Sequence, residues 1–137
     1  MPKRRIFISF DHDDTGQVNG FLGLREIIDG VEFFNHKLDR RINSTDGNYV
    51  GRVIREDYIK PASVTVVLIG NRTAQSEWVK WEVAESLRQG KGILGIRLKG
   101  TNGPIPHGVP ANAVGDWQPD KFAGWIEWAC QKRTSNQ

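Results

Sequence analysis

Residues Val64-Thr65-Val66-Val67-Leu68-Ile69-Gly70 are apolar at almost every position and lack the alternation of a strand with one wet face. A short run of this kind needs apolar cover on both sides, the environment of a parallel sheet with helices above and below. A short polar loop follows, and Ser76-Glu77-Trp78-Val79-Lys80-Trp81-Glu82 then opens a helix. Ser76 is a good N-cap, and Glu77 complements the positive end of the helix dipole. Glu82 therefore lies a turn inside a helix at the carboxyl end of a parallel strand, where open α/β sheets bind their ligands.

The rest of the chain continues the alternation. Arg5 to Phe10 reads as the first strand, closed by the acidic segment Asp11-His12-Asp13-Asp14. Phe21, Leu24, Ile27 and Ile28 recur at helical spacing and place a helix over about 18 to 29. Val31 to Phe34 is a second strand, followed by a polar loop from Asn35 to Asn48. Val50, Val53, Ile54 and Tyr58 mark a helix that must stop near Pro61. The helix from Ser76 runs to about Gln89 with Val79, Val83 and Leu87 as its core stripe, and Gly90 ends it. Ile93 to Leu98 is the fourth strand, and Gly100 to Pro110 is a loop long enough for a lid or binding loop. A short fifth strand falls around Ala113-Val114, and a last helix starts near Pro119 with Phe122, Trp125, Ile126 and Ala129 as its stripe.

Strands alternating with helices imply right-handed crossovers and a three-layer α/β fold. At 137 residues one domain, 1–137, accounts for the chain. The expected architecture is flavodoxin-like, with about five parallel strands in the order 2-1-3-4-5 and a switch point between strands 1 and 3. Asp11 to Asp14 and Asn71 to Glu82 should then face each other across one crevice.

Composition excludes several classes. One cysteine, Cys130, forms no internal disulfide and builds no zinc site alone, which fits a reducing, cytoplasmic setting. The apolar run behind the basic start is too short for a signal peptide or a membrane span. The net charge of +3 is dispersed, its densest cluster being Lys37 with Asp39-Arg40-Arg41, so neither a nucleic-acid interface nor a membrane surface is expected.

Among residues with chemistry, Glu82 sits beside Trp78 near the crevice, where partial desolvation would raise its pKa. The plain alternative is a solvated glutamate paired with Lys80 or Arg88. Asp11, Asp13 and Asp14 suggest the magnesium site of a receiver domain, but the third strand ends in Gly70-Asn71 where a phosphoacceptor aspartate is needed. Gly70-Asn71-Arg72-Thr73 before a helix is a candidate phosphate loop. No GxGxxG or GxxxxGK[ST] occurs, and His12, His36 and His107 lie in separate loops without metal-ligand spacing. No metal or cofactor is expected.

Arg4-Arg5-Ile6-Phe7-Ile8-Ser9-Phe10, with Asp11 and Asp14 after it, resembles the opening strand and loop of a TIR domain. Ser63 to Gly70 followed by Ser76 to Glu82 strengthens the likeness, because S-x-W-x-x-x-E is the TIR pattern whose final glutamate is catalytic in members that cleave NAD. Over nearly its whole length the chain is most similar to the bacterial TIR-like family of the Thoeris ThsB type, from anti-phage defence.

That resemblance implies a flavodoxin-like fold, with NAD as substrate and not as bound cofactor. It implies cleavage at the nicotinamide–ribose bond and a cyclic ADP-ribose-type product that diffuses to a separate effector protein. Glu82 would be catalytic, Trp78 and Phe10 would wall the nicotinamide or ribose, and Ser9, Asp11, Asp14, Arg72 and Ser76 would bind substrate. Self-association or a phage protein would be the trigger. Two departures stand out: Asn35 to Asn48 lacks the proline-centred motif many TIR domains use for self-association, and Trp81 stands where a second carboxylate would sit. The competing readings are a non-catalytic TIR-like interaction module, working through Lys37 to Arg41, and a base-exchanging nucleoside transferase.

Overall fold

The structure is a computed structural model that describes residues 4–11, 14, 16–17, 20, 31–34 and 51–132. Apart from Gly20, the expected helix over 18 to 29 lies outside the described residues, as do the loop Asn35 to Asn48 with its basic cluster, His12, Asp13, His36 and the frayed end.

Five parallel strands form one sheet: β1 (Arg4–Phe10), β2 (Val31–Phe34), β3 (Val64–Ile69), β4 (Gly92–Arg97) and β5 (Val114–Gly115). Their order is β2-β1-β3-β4-β5, as the alternation of elements predicts. Every residue of β3 is buried, which is why its sequence shows no polar alternation. The β1–β3 register sets Phe7 beside Thr65 and Ser9 beside Val67.

Because strand side chains alternate between faces, the even-numbered residues of β1, β3 and β4 point one way and the odd-numbered ones the other. On the even face, Ile6, Ile8, Phe10, Val64, Val66, Leu68, Leu94 and Ile96 form one continuous core with Phe122, Ile126, Ala129 and Cys130. Those last four belong to the helix α2 (Pro119–Lys132), and its expected stripe is confirmed, with Trp125 packed at its margin.

The odd face is divided. One cluster gathers Phe7 with Ile54, Tyr58 and Ile59 of the helical segment at 51–59, whose Ile54–Ile59 part is a π-helix ending just before Pro61. The other gathers Val67, Ile69 and Ile93 with Val79 and Val83 of the helix α1 (Glu77–Arg88).

The stripe expected on α1 needs correction. Leu87 is 47% exposed, and the inward positions are Val79, Glu82, Val83 and Ser86, all fully buried. That is i, i+3, i+4, i+7 spacing, with Ser86 taking the inner place assigned to Leu87.

The segment after β4 is also not a loose lid. Thr101 Oγ1 lies 3.0 Å from the Ile69 carbonyl and 2.7 Å from that of Leu98. Asn102 N–H donates to Asn71 Oδ1 at 3.0 Å, and Arg97 Nη1 donates to the Gly103 carbonyl at 2.6 Å. A Cβ at Gly103 would meet the Gly70 carbonyl at 2.1 Å, so only glycine allows this approach. Ile105 and Val109 then pack into the core below α1. Polar anchors at one end and apolar ones at the other fasten the loop to the end of β3.

Candidate functional site

Between the two apolar clusters of the odd face runs a seam of polar side chains: Ser9 from β1, Thr65 from β3, Glu82 and Ser86 from α1. All four are fully buried. Ser9 Oγ donates to Glu82 Oε1 at 2.7 Å. Ser86 Oγ lies 2.7 Å from the Glu82 carbonyl oxygen and 2.7 Å from Thr65 Oγ1. The seam thus joins both central strands to α1 at the level of Glu82. Buried polar groups persist only when they are hydrogen-bonded, and this chain of hydroxyls meets that condition at each step.

Glu82 is therefore not a solvated helix glutamate. Arg88 pairs instead with Glu85, one turn further along α1. Glu85 is also held by Arg55 Nε at 3.1 Å and Gln89 Nε2 at 3.1 Å. Hydrogen bonding from Arg88 leads the causes that lower Glu85 from an ordinary 4.5 to about 2, against the upward pull of burial. In return Glu85 raises Arg88.

Around the seam, the segments after β1 and β3 meet as the topology requires. A Cβ on Gly70 would lie 2.2 Å from Asp14 Oδ2, so the Asp14 carboxylate rests against the bare Cα of Gly70. Thr73 Oγ1 stands 3.4 Å from the same oxygen. Asp11 is half-buried, and its carbonyl accepts the Asp14 N–H at 2.9 Å. Asp11 and Asp14 thus lie where the segments after β1 and β3 meet, and Ser9 and Glu82 lie together in the seam.

The other predicted site residues fall elsewhere or do other work. Phe10 is a correction: it is fully buried in the continuous core of the opposite face, because its neighbour Ser9 takes the seam side. Ser76 is the N-cap of α1, accepting the Val79 N–H at 3.3 Å. Arg72 is exposed. Trp78 is half-buried one turn before Glu82, edge-on to Trp81 with ring centroids 5.6 Å apart, and both lean on the Phe7 cluster. Arg55 stacks over Trp81 with Cζ 5.7 Å from the ring centroid.

The candidate phosphate loop needs correction too. Gly70 N–H donates to Thr73 Oγ1 at 2.7 Å, and the Gln75 and Ser76 N–H groups close onto Arg72 and Thr73 carbonyls. The Gly70 amide is thus turned on the loop itself, and the helical turn Thr73–Gln75 is only three residues long.

Sequence reasoning missed Thr65, Ser86 and Thr73. Counting forward from Val79 by i+3, i+4 and i+7 places Glu82 and Ser86 inside, and that periodicity was the available signal. Among the described residues no group of His, Cys, Asp or Glu is arranged to hold a metal ion. No described helix is long and apolar enough to cross a membrane. A cleft of about 410 Å³ opens between β5 and α2, lined by Leu94, Val114, Gly115, Trp125 and Trp128. It contains none of the predicted site residues.

Comparison with known families joins these observations. A family model described as "Thoeris protein ThsB, TIR-like domain" matches residues 7–103, a span that runs from β1 through the seam to Gly103. The chain belongs to this family. All four seam residues lie inside the matched span of the ThsB TIR-like domain. The chain is also similar to the crystal structure of the TIR domain of the Toll-related receptor TRR-2 from Hydra magnipapillata. That match has a TM-score of 0.61 at 16% identity and covers 92% of this chain and 94% of that one. Such a likeness speaks for the TIR fold alone. Comparison with curated proteins finds no match.

Proposed function

We propose that this ThsB-type TIR-like domain cleaves NAD at the nicotinamide–ribose bond and releases a cyclic ADP-ribose-type signal for a separate effector protein. One observation carries the reading: Glu82 is fully buried and hydrogen-bonded to Ser9, within the span matched by the family. Carboxylates are almost never fully buried without a partner or a task.

The chemistry follows from the bond. As the glycosidic C–N bond breaks, its electron pair leaves with nicotinamide, and positive charge develops on the ribose C1′ and ring oxygen. A carboxylate fixed beside that ring stabilises the oxocarbenium-like state, as in other glycoside chemistry. Glu82 takes this role. Asp11 and Asp14, in the segment after β1, would hold ribose hydroxyls, and Trp78 would offer an aromatic wall one turn away. Capture of C1′ by water gives ADP-ribose, whereas capture by the adenine end gives a cyclic product, so a dry pocket favours cyclisation. A carboxylate with no solvent exposure meets substrate only after its cover moves, which makes activity conditional on a trigger such as self-association or a phage protein.

The burial of Glu82 also favours a second reading, a non-catalytic TIR-like interaction module in which the seam is structural. The two separate cleanly. Purified protein is incubated with NAD alone and in lysates of infected cells, and the products are chromatographed. The enzymatic reading expects nicotinamide and a cyclic nucleotide from wild type, and loss of about 100-fold or more in Glu82→Gln. Identical null results for both proteins in both settings would leave the module reading.

A further inference from the structure

We infer that Ser9 is a positioning residue for Glu82 and not a substrate contact. The inference rests on the NAD-cleaving reading for its kinetic consequence and on geometry alone for its structural one. Ser9 is fully buried on β1, the strand between β2 and β3 in the sheet. Its hydroxyl is committed at 2.7 Å to Glu82 Oε1 across 73 residues of sequence. A serine hydroxyl has one proton, so Ser9 that donates to Glu82 cannot also donate to a substrate, and the kinetic test below asks whether its lone pairs meet one.

Glu82 needs such a brace. Its side chain has three rotatable bonds, and an unsupported carboxylate would sample several directions across the gap between the two apolar clusters. The helix below is already fixed, because Ser86 grips the Glu82 carbonyl and Thr65 grips Ser86. Main chain held from β3 and one carboxylate oxygen held from β1 together narrow the directions the carboxylate can take. Serine suits the place. It is small enough to sit under α1, and it meets the carboxylate with a neutral donor where Glu85 is met by Arg88 and Arg55.

The test uses the full chain as wild type, Ser9→Ala, Ser9→Thr, Glu82→Gln and the Ser9→Ala/Glu82→Gln pair. With NAD as substrate, Ser9→Ala should lower kcat about 10- to 100-fold with KM within about twofold, the pattern of a displaced catalytic group. Ser9→Thr, which keeps the hydroxyl, should recover most of that loss. Adding Ser9→Ala to Glu82→Gln should cause no further loss. A raised KM with unchanged kcat would mean that Ser9 touches substrate, and the inference falls.

A second arm needs no turnover. The Glu82 side-chain carboxyl carbon, labelled with carbon-13, should give one sharp resonance in wild type and in Ser9→Thr, and a shifted or broadened one in Ser9→Ala. An unchanged resonance in Ser9→Ala overturns the inference even if NAD is cleaved. If wild type is inert toward NAD in every setting while the resonance responds to Ser9→Ala, the functional reading fails and the brace stands.

Discussion

The two faces of this sheet are built to different rules. Under α2 the side chains of β1, β3 and β4 make one unbroken apolar core. Under α1 the same strands present two smaller cores with Ser9, Thr65, Glu82 and Ser86 between them. Apolar burial stabilises at roughly 25 cal/mol per Å², whereas a buried polar group at best offsets its own desolvation. A sequence selected for stability alone would fill the second face as it fills the first. The difference separates a face that holds the fold from one that holds a carboxylate in place.

The most disruptive way to probe this contrast is to hollow the stable face. Phe122 is fully buried in the continuous core and stacks edge-on with Trp117 at 5.2 Å and tilted against Trp125 at 5.7 Å. Phe122→Ala should cost about 3–5 kcal/mol, a large part of the stability of a domain this size. Urea titration followed by tryptophan fluorescence measures it. A loss below about 1 kcal/mol would mean that the α2 face is not the foundation of the fold.

The same contrast explains what was legible in the sequence. The α2 face and β3 were readable because their message is redundant: every residue of β3 is apolar, and Phe122, Ile126 and Ala129 keep helical spacing. Strand order followed from the alternation of elements. The seam was harder to read because its residues are exceptions to the pattern used to find elements. Glu82 was picked out by its place at the end of β3 and by the S-x-W-x-x-x-E spacing, and the family match covers that motif. Ser86 is legible only once the inward period is counted from Val79, and Thr65, a threonine in an apolar strand, carries no local signal. Only packing α1 on β1 and β3 shows that their hydroxyls meet. Phe10 was misplaced for a related reason. Its position at a strand end was legible, but the face it points to depends on which parity of β1 meets α1.

A gentler intervention sharpens the comparison from the polar side. Thr65→Val keeps the shape of the strand residue but deletes the hydroxyl that meets Ser86, and should cost about 1 kcal/mol. The Thr65→Val/Ser86→Ala pair removes both hydroxyls. Replacing both partners of a hydrogen bond is nearly neutral, whereas leaving one behind is not. The pair should therefore be less destabilised than the sum of Thr65→Val and Ser86→Ala, with a coupling of about 0.5–1 kcal/mol in thermal unfolding. Strict additivity would show that the hydroxyls do not act together.

The smallest effect contrasts two carboxylates on one helix. Glu85 lies at the edge of the same face, 8% exposed and gripped by Arg88 and Arg55, whose side chains are 64% and 38% exposed. Its folded pKa is about 2 against an ordinary 4.5, so the folded state binds this proton less readily than the unfolded chain. The resulting stability is fully present above pH 4.5 and is lost as pH falls through about 2. The shift alone would correspond to about 3 kcal/mol, but with both guanidinium partners in contact with water a net contribution of about 1 kcal/mol is expected. Glu85→Gln should lower stability by that amount at neutral pH and match wild type near pH 2. The difference between the two unfolding curves isolates Glu85 from the other carboxylates that titrate in this range. Added salt should shrink it, because the arginines are solvated. If Glu85→Gln is silent across the whole range, the arginine cluster around Glu85 does not bear on the fold, and the contrast on this helix rests on the seam.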